Sequence, residues 1–297
     1  ATLARMTQSV AIVGSGGIGG LLAAVCAATT AAANTTTTQE TTPIVVTTPR
    51  SARRITAEGL RLTSPLFGDS THQVRAVTQL EEPVDFTFIT VKQPHLTDAL
   101  RTIPAEYAGT VIPLLNGVDH MQVLRAQFDS LLAGSIHVES SRDQDGTIVH
   151  GCDFVRLTTS ASLPPLFDAR VTTITTPNQD ELLWSKLAVL APFALMTARY
   201  RIPLGEVLET RRQELEEVVG ECAAVSVACG GPDTSSDAMG LYEKFEYGAK
   251  SSMLRDIEEN RPTELDAIGG AVIRHAAAHG IIVPAVGRLV AEMEGII

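Results

Sequence analysis

A chain of 297 residues is long enough for two domains with separate cores, and 44% hydrophobic side chains with only 4% aromatic describe interiors packed with Ala, Val, Leu and Ile. The formal net charge of -11, interrupted by no basic run longer than Arg53-Arg54 or Arg211-Arg212, excludes nucleic acid and anionic membrane surfaces as expected partners. Cys26, Cys152, Cys222 and Cys229 form no CxxC pair, so neither a disulfide framework nor a structural metal is expected, and a reducing cytoplasm fits best.

In chain order, Val10 to Val13 is a short apolar run ending in Gly14, followed at helical spacing by Ile18, Leu21, Leu22, Val25 and Cys26. The pattern predicts strand, turn and amphipathic helix. The uncharged stretch 10–28 contains five glycines, which argues against a lipid-facing helix. Thr and Ala dominate residues 29–43, predicting an unstructured insertion, and Ile44-Val45-Val46 predicts the next strand. Residues 85–91 and 110–115 read as further strands with a helix over 93–100 between them; such alternation implies a parallel sheet with crossover helices. Short strand-like pieces at 146–149 and 154–157 are expected to complete that sheet in antiparallel fashion. Beyond Pro177 the pattern turns helical, with Leu215, Val218, Val219, Cys222 and Cys229 on one face and Leu265, Ile268, Val272, Ile273 and Ala276 on another. The expected organisation is an α/β domain over 1–177 and a mainly helical domain over 178–297.

Gly14-Ser15-Gly16-Gly17-Ile18-Gly19 matches G-x-G-x-x-G directly after a strand and at the opening of a helix. In that context Gly14 permits the tight turn, Gly16 lets a diphosphate approach the backbone, and Gly19 allows close packing, while the helix N-terminus offers unpaired N–H groups to the anion. Where NAD-binding chains place an acid after the second strand, this one runs into Thr47-Thr48-Pro49-Arg50. A guanidinium suits a 2′-phosphate, so NADP (NADPH) is expected over NAD, with Arg50 as an ordinary surface charge the competing reading. His275 and His279 lie at i and i+4, but no Glu follows His275 and a helix end is marked by Gly280 and Pro284, so helix-dipole complementation is expected rather than a metal. Glu214, Glu216, Glu217 and Glu221 read as a solvated helix face.

Several segments resemble the ketopantoate reductase (2-dehydropantoate 2-reductase) family: Ala11 to Gly19, Ile89-Thr90-Val91-Lys92, Leu114-Leu115-Asn116-Gly117-Val118, Trp184-Ser185-Lys186-Leu187, and Ser251-Ser252-Met253-Leu254-Arg255-Asp256-Ile257 followed by Arg261-Pro262-Thr263-Glu264-Leu265-Asp266. The resemblance covers nearly the whole chain from Val10. It implies a Rossmann-type doubly wound N-terminal domain, a helical C-terminal domain, and NADPH-dependent reduction of a 2-oxo acid in a cleft between them, the pantoate-forming step of pantothenate biosynthesis. By the same likeness Lys186 corresponds to the catalytic lysine, Glu264 to the active-site glutamate, Asn116 to the asparagine beside nicotinamide and substrate, Ser252 to the substrate-binding serine, and Lys92 to a cofactor-pocket lysine; a homodimer is compatible with it.

Elementary chemistry agrees, since ketone reduction places charge on an oxygen that a positioned cation can stabilise and protonate. Lys186 sits on an apolar helix where burial would lower its pKa; the pattern alone favours a snorkelling lysine, and only the family likeness reverses that reading. Glu264 is expected in a first helical turn capped by Thr263, and Ser252 admits a simple capping role. One departure bears on substrate: Leu190, Ala194 and Leu204 stand where the family usually carries asparagines, which points to ketopantoate in a remodelled pocket or to a more apolar 2-oxo acid. Pro192 is expected to kink or break the helix about one turn after Lys186. Rival readings are a related dehydrogenase acting on a hydroxy or opine-like acid, and a non-catalytic NADP-binding regulator.

Overall fold

The computed structural model describes residues 8–33 and 43–295. Its elements begin with β1 (Val10–Val13), α1 (Gly17–Ala33), β2 (Ile44–Val46), α2 (Pro49–Glu58), β3 (Leu60–Thr63), β4 (Ser70–His72), β5 (Arg75–Val77), β6 (Phe86–Ile89), α3 (Leu96–Leu100), β7 (Thr110–Pro113) and α4 (His120–Arg125). There follow β8 (Gly134–His137), β9 (Ser140–Arg142), β10 (Ile148–His150), β11 (Val155–Thr159) and β12 (Val171–Thr175), and then the helices α5 (Gln179–Tyr200), α6 (Leu204–Thr210), α7 (Arg212–Ala228), α8 (Ser235–Tyr242), α9 (Ser252–Glu258), α10 (Ala271–Ala278) and α11 (Pro284–Glu294). The chain divides into two compact units, one comprising Met121–Pro177 and the chain up to Leu115, the other Asn116–His120 and the chain from Asn178.

In the first unit five strands pair in the order β5-β2-β1-β6-β7, every pairing parallel. All four residues of β1 are buried, which is why that strand reads as an unbroken apolar run and not as an alternation. The order reverses between β1 and β6, the switch point of a Rossmann-type doubly wound sheet, outside whose carboxyl strand ends such folds bind ligands. Crossover helices supply both flanking layers: Leu21, Leu22 and Val25 of α1 join Ile12, Val45 and Phe88 in one core, while Leu96 and Leu100 of α3 join Val13, Val46 and Ile89 in the other.

Two expectations need correcting here. The strands between residues 134 and 175 do not complete the parallel sheet: β9 and β10 join β3 and β4 in a four-stranded sheet, and β8, β11 and β12 form a three-stranded one. Alternating burial in β11 told of strands but not of partners, and register with β8 and β12 is a tertiary choice. The Thr/Ala segment is also not wholly irregular, because α1 continues through Ala33, as its alanines favour; residues 34–42 lie outside the described part.

The second unit is helical. Asn178 caps α5, its side-chain oxygen accepting from the N–H groups of Asp180 (3.0 Å) and Glu181 (3.3 Å). Of the kink or break expected at Pro192, the break does not occur: α5 continues through it. Ala188, Ala191, Pro192 and Ala194 are all buried, so packing offsets the lost backbone bond, and the Tyr242 hydroxyl donates to the Val189 carbonyl (2.5 Å) beside the disturbed turn. Among the described helices α5 alone is long and apolar enough to cross a bilayer, and 67% of that stretch is buried inside the protein.

The acidic stretch on α7 is likewise not just a solvated face. Glu221 accepts from the N–H groups of Ala285 (2.9 Å) and Val286 (2.8 Å) at the opening of α11, and Glu214 accepts from the Tyr200 hydroxyl (2.8 Å) and Arg288 (2.5 Å). Glu216 pairs with Arg212 on the surface.

Candidate functional site

The glycine turn occupies the end of β1. Gly14 has φ +105°, a conformation open to glycine, and its N–H donates to Val46 O (2.9 Å), bonding the turn to β2. Thr90, just past β6, donates its hydroxyl to Val13 O (2.9 Å) and holds the turn from the other side. A Cβ on Gly19 would lie 2.0 Å from Gly14 O, and one on Gly17 would lie 2.3 Å from Ser140 O, so the first is needed for the turn and the second for the approach of β9. At Gly16 a Cβ would meet no atom within 4 Å: the exposed backbone there faces open space at a helix N-terminus, which fits the diphosphate of a dinucleotide. Partly buried Ile18 packs against the core and anchors the first turn of α1.

The two glycines therefore separate experimentally. Gly16→Ala is expected to leave thermal stability unchanged while weakening NADPH binding roughly tenfold or more, about 1.4 kcal/mol, by fluorescence titration. Gly19→Ala is expected to lower Tm as well, because its new methyl group must displace backbone.

Ser15 is buried, with its hydroxyl against that of Thr47 (2.7 Å). Thr48 caps α2, Pro49 opens it, and Arg50 follows, exposed at its first turn, while Lys92 precedes a short 3-10 turn after β6. These four positions belong to the first unit.

In the second unit the fold brings together three of the expected residues. Asn116 Nδ2 donates to Glu264 Oε2 (2.9 Å), across 148 residues of sequence. Lys186, on α5, lies in the electrostatic field of Glu264. Burial lowers the Lys186 pKa from 10.5 to about 8, against the opposing pull of the Glu264 carboxylate. Gly117 (φ +85°) allows the Asn116 loop to pass Ala267, whose carbonyl would stand 2.3 Å from a Cβ there. Glu264 is only 6% exposed, so it is not a dipole-compensating surface acid. Nor does Thr263 cap a helix around it: Glu264 O accepts from Ile268 N (3.0 Å), and the helix opens after it with a π turn at Asp266–Gly270 before α10.

Ser251, not Ser252, caps α9, accepting from Leu254 N (3.1 Å) and from the Thr197 hydroxyl (2.8 Å); Ser252 is exposed at the first position of that helix. Ala194 and Leu204 are fully buried. His275 does more than complement a dipole: its Nε2 meets Asp119 Oδ1 (2.8 Å) and its ring stacks edge-on to Trp184 (5.1 Å). His279 fits the helix-end reading, its ring nitrogen facing His275 O (2.9 Å).

Sequence reasoning missed two residues, one in each unit. His120, 1% exposed, sits close enough to Lys186 and Asp119 to feel both charges, and burial lowers its pKa to about 4, keeping the ring neutral. Arg142, on β9, donates to Ser15 O (3.1 Å) and Ser15 Oγ (3.2 Å). Neither position carries a local signal, since one is a histidine in a polar turn and the other an arginine in a polar strand.

Comparison with known proteins identifies the family. The family model described as "Ketopantoate reductase PanE/ApbA" matches residues 10–158, and "Ketopantoate reductase PanE/ApbA C terminal" matches residues 178–296. A 2-dehydropantoate 2-reductase of Shigella flexneri is 30% identical over 230 residues, covering 69% of this chain and 72% of that protein. That of Caulobacter vibrioides is 28% identical over 95% of this chain and 97% of its own length. The structure of a PanE/ApbA family ketopantoate reductase from Ralstonia eutropha JMP134 superposes with a TM-score of 0.86 at 24% identity, covering 97% of this chain and 98% of that one. Matches to both halves of the family's pattern, with relatives at these identities, establish that the chain belongs to the ketopantoate reductase family, oxidoreductases that work with a nicotinamide cofactor.

Proposed function

We propose that the protein reduces a 2-oxo acid, 2-dehydropantoate or a more apolar analogue, to the 2-hydroxy acid with NADPH. The observation that carries this reading is a lysine with its pKa drawn down to about 8, beside the buried Glu264 carboxylate that holds the half-buried Asn116 amide, in a chain that also holds a dinucleotide-type glycine turn. Bound NADPH supplies the hydride. As the carbonyl carbon accepts it, the π electrons move to oxygen, and the Lys186 ammonium stabilises that charge and gives up its proton, to be recharged from water. Glu264 keeps the ammonium charged and holds the Asn116 amide, leaving the Asn116 carbonyl oxygen to orient the ligands. Ser252 binds the substrate carboxylate. On the cofactor side Gly14 to Gly19 receive the diphosphate, Arg50 the 2′-phosphate, and Lys92 the adjoining pocket.

Leu190, Ala194 and Leu204, which stand where the family usually carries asparagines, offer no side-chain polar group, and this favours a substrate with fewer polar groups than ketopantoate. Initial rates of NADPH oxidation against 2-dehydropantoate and a series of branched-chain 2-oxo acids test both versions: turnover of ketopantoate above the series settles the first, the reverse order settles the second, and no turnover of any 2-oxo acid removes the proposal.

A further inference from the structure

Three arginines converge on one side of the glycine turn. Arg50 and Arg54 come from the first turns of α2, and Arg142 comes from β9, in another sheet. One nitrogen of Arg142 donates to Ser15 O (3.1 Å), Ser15 Oγ (3.2 Å) and Ser51 Oγ (3.4 Å), so the side chain ties the glycine turn to the start of α2. Among the described residues none of the three arginines forms an ion pair with a carboxylate. Arg54 has the carbonyl of Asp145 (3.0 Å), but the Asp145 carboxylate goes to Arg61 (3.3 Å). The guanidinium of Arg142 feels this company: partial burial, and then Arg54 and Arg50, push its pKa down. Like charges gathered with no carboxylate partner among the described residues repel one another, and an anion bound between them relieves that repulsion. A guanidinium has five N–H donors, so Arg142 retains donors beyond the nitrogen bound to the two serines.

We infer that Arg142 is a specificity-determining residue for the cofactor, closing with Arg50 and Arg54 around a phosphate monoester on the adenosine ribose and thereby selecting NADPH over NADH. The inference rests on the nicotinamide-dependent function proposed above but adds two residues, from two separate segments, to the single arginine legible in the sequence.

The test is equilibrium binding, independent of turnover. NADPH, NADH and adenosine 2′,5′-bisphosphate, which carries the ribose phosphate without nicotinamide, are titrated calorimetrically into the wild type, Arg142→Gln and Arg54→Gln, with Tm recorded for each. The wild type is expected to bind NADPH at least tenfold more tightly than NADH and to bind the bisphosphate. Arg142→Gln should weaken NADPH and the bisphosphate tenfold or more while changing NADH less than threefold; Arg54→Gln, which leaves the tie to the turn intact, should show the same selectivity to a smaller degree. Equal weakening of NADPH and NADH in Arg142→Gln would make the residue a strut for the turn and overturn the inference, as would unchanged NADPH affinity. A wild type that binds both coenzymes equally overturns the inference and leaves the reductase reading standing, whereas a wild type that binds neither removes both.

Discussion

Lys186→Met is expected to lower kcat by about a thousandfold while leaving the Kd for NADPH within twofold of the wild type, the loss expected when a positioned acid and its charge are removed together. In the wild type, kcat/KM should fall as pH rises through about 8, because the acid form of Lys186 is the active one and its pKa is drawn to about 8 from 10.5. Methionine should abolish that limb. The same shift makes a second, opposite prediction for stability. A folded-state pKa below the unfolded one means that the folded chain holds this proton less well, so the burial penalty is fully present below pH 8 and fades between pH 8 and 10.5. Lys186→Met should therefore have a higher Tm than the wild type at pH 7, with the difference narrowing by pH 10. Calorimetry across pH, alongside stopped-flow rates, measures both. A variant that is less stable at pH 7 and retains turnover would show Lys186 to be a packing residue.

Glu264→Gln is expected to cost ten- to a hundredfold in kcat, and its diagnostic effect lies in the pH profile. Glu264 opposes the burial that lowers the Lys186 pKa, so neutralising it should move the basic limb to lower pH. Glu264→Ala removes in addition the oxygen that accepts from Asn116 at 2.9 Å, leaving a half-buried amide without its partner, a cost of about 1 to 3 kcal/mol. Alanine should thus lower Tm and raise KM beyond the glutamine variant. A basic limb that stays at about 8 in Glu264→Gln would mean that this carboxylate does not act on Lys186, whatever the loss in rate.

Much of this is legible in the sequence. The apolar run at Val10, its glycine turn and the helical spacing after it specify a βαβ opening because a strand buried on both faces and a phosphate-receiving turn each demand particular residues at particular spacings. The family likeness pointed to Asn116, Lys186 and Glu264, and the structure places all three in one unit. Less legible were residues whose partners are remote. The Glu221 side chain reads as solvated because sequence spacing reports a helix face, not the helix end that arrives 64 residues later. Pro192 reads as a kink or a break because local propensity weighs the lost N–H but cannot count the buried alanines around it, which let α5 continue. The strands after Gly134 were visible as strands, yet their assignment to two further sheets depends on pairings no local pattern encodes.

By itself, then, the sequence determined the alternation of strand and helix, the dinucleotide-type turn, the change to a helical texture after Pro177 and the residue types available for chemistry, since each follows from periodicity, backbone freedom or family likeness. Tertiary structure alone decided that the Glu264 carboxylate is buried against Asn116, that burial draws the His120 and Lys186 pKa values down, and that Arg142 reaches Ser15. The physical reason is common to all four: ionisation and hydrogen bonding respond to desolvation and to charges a few ångströms away, and those neighbours are set by how distant segments pack.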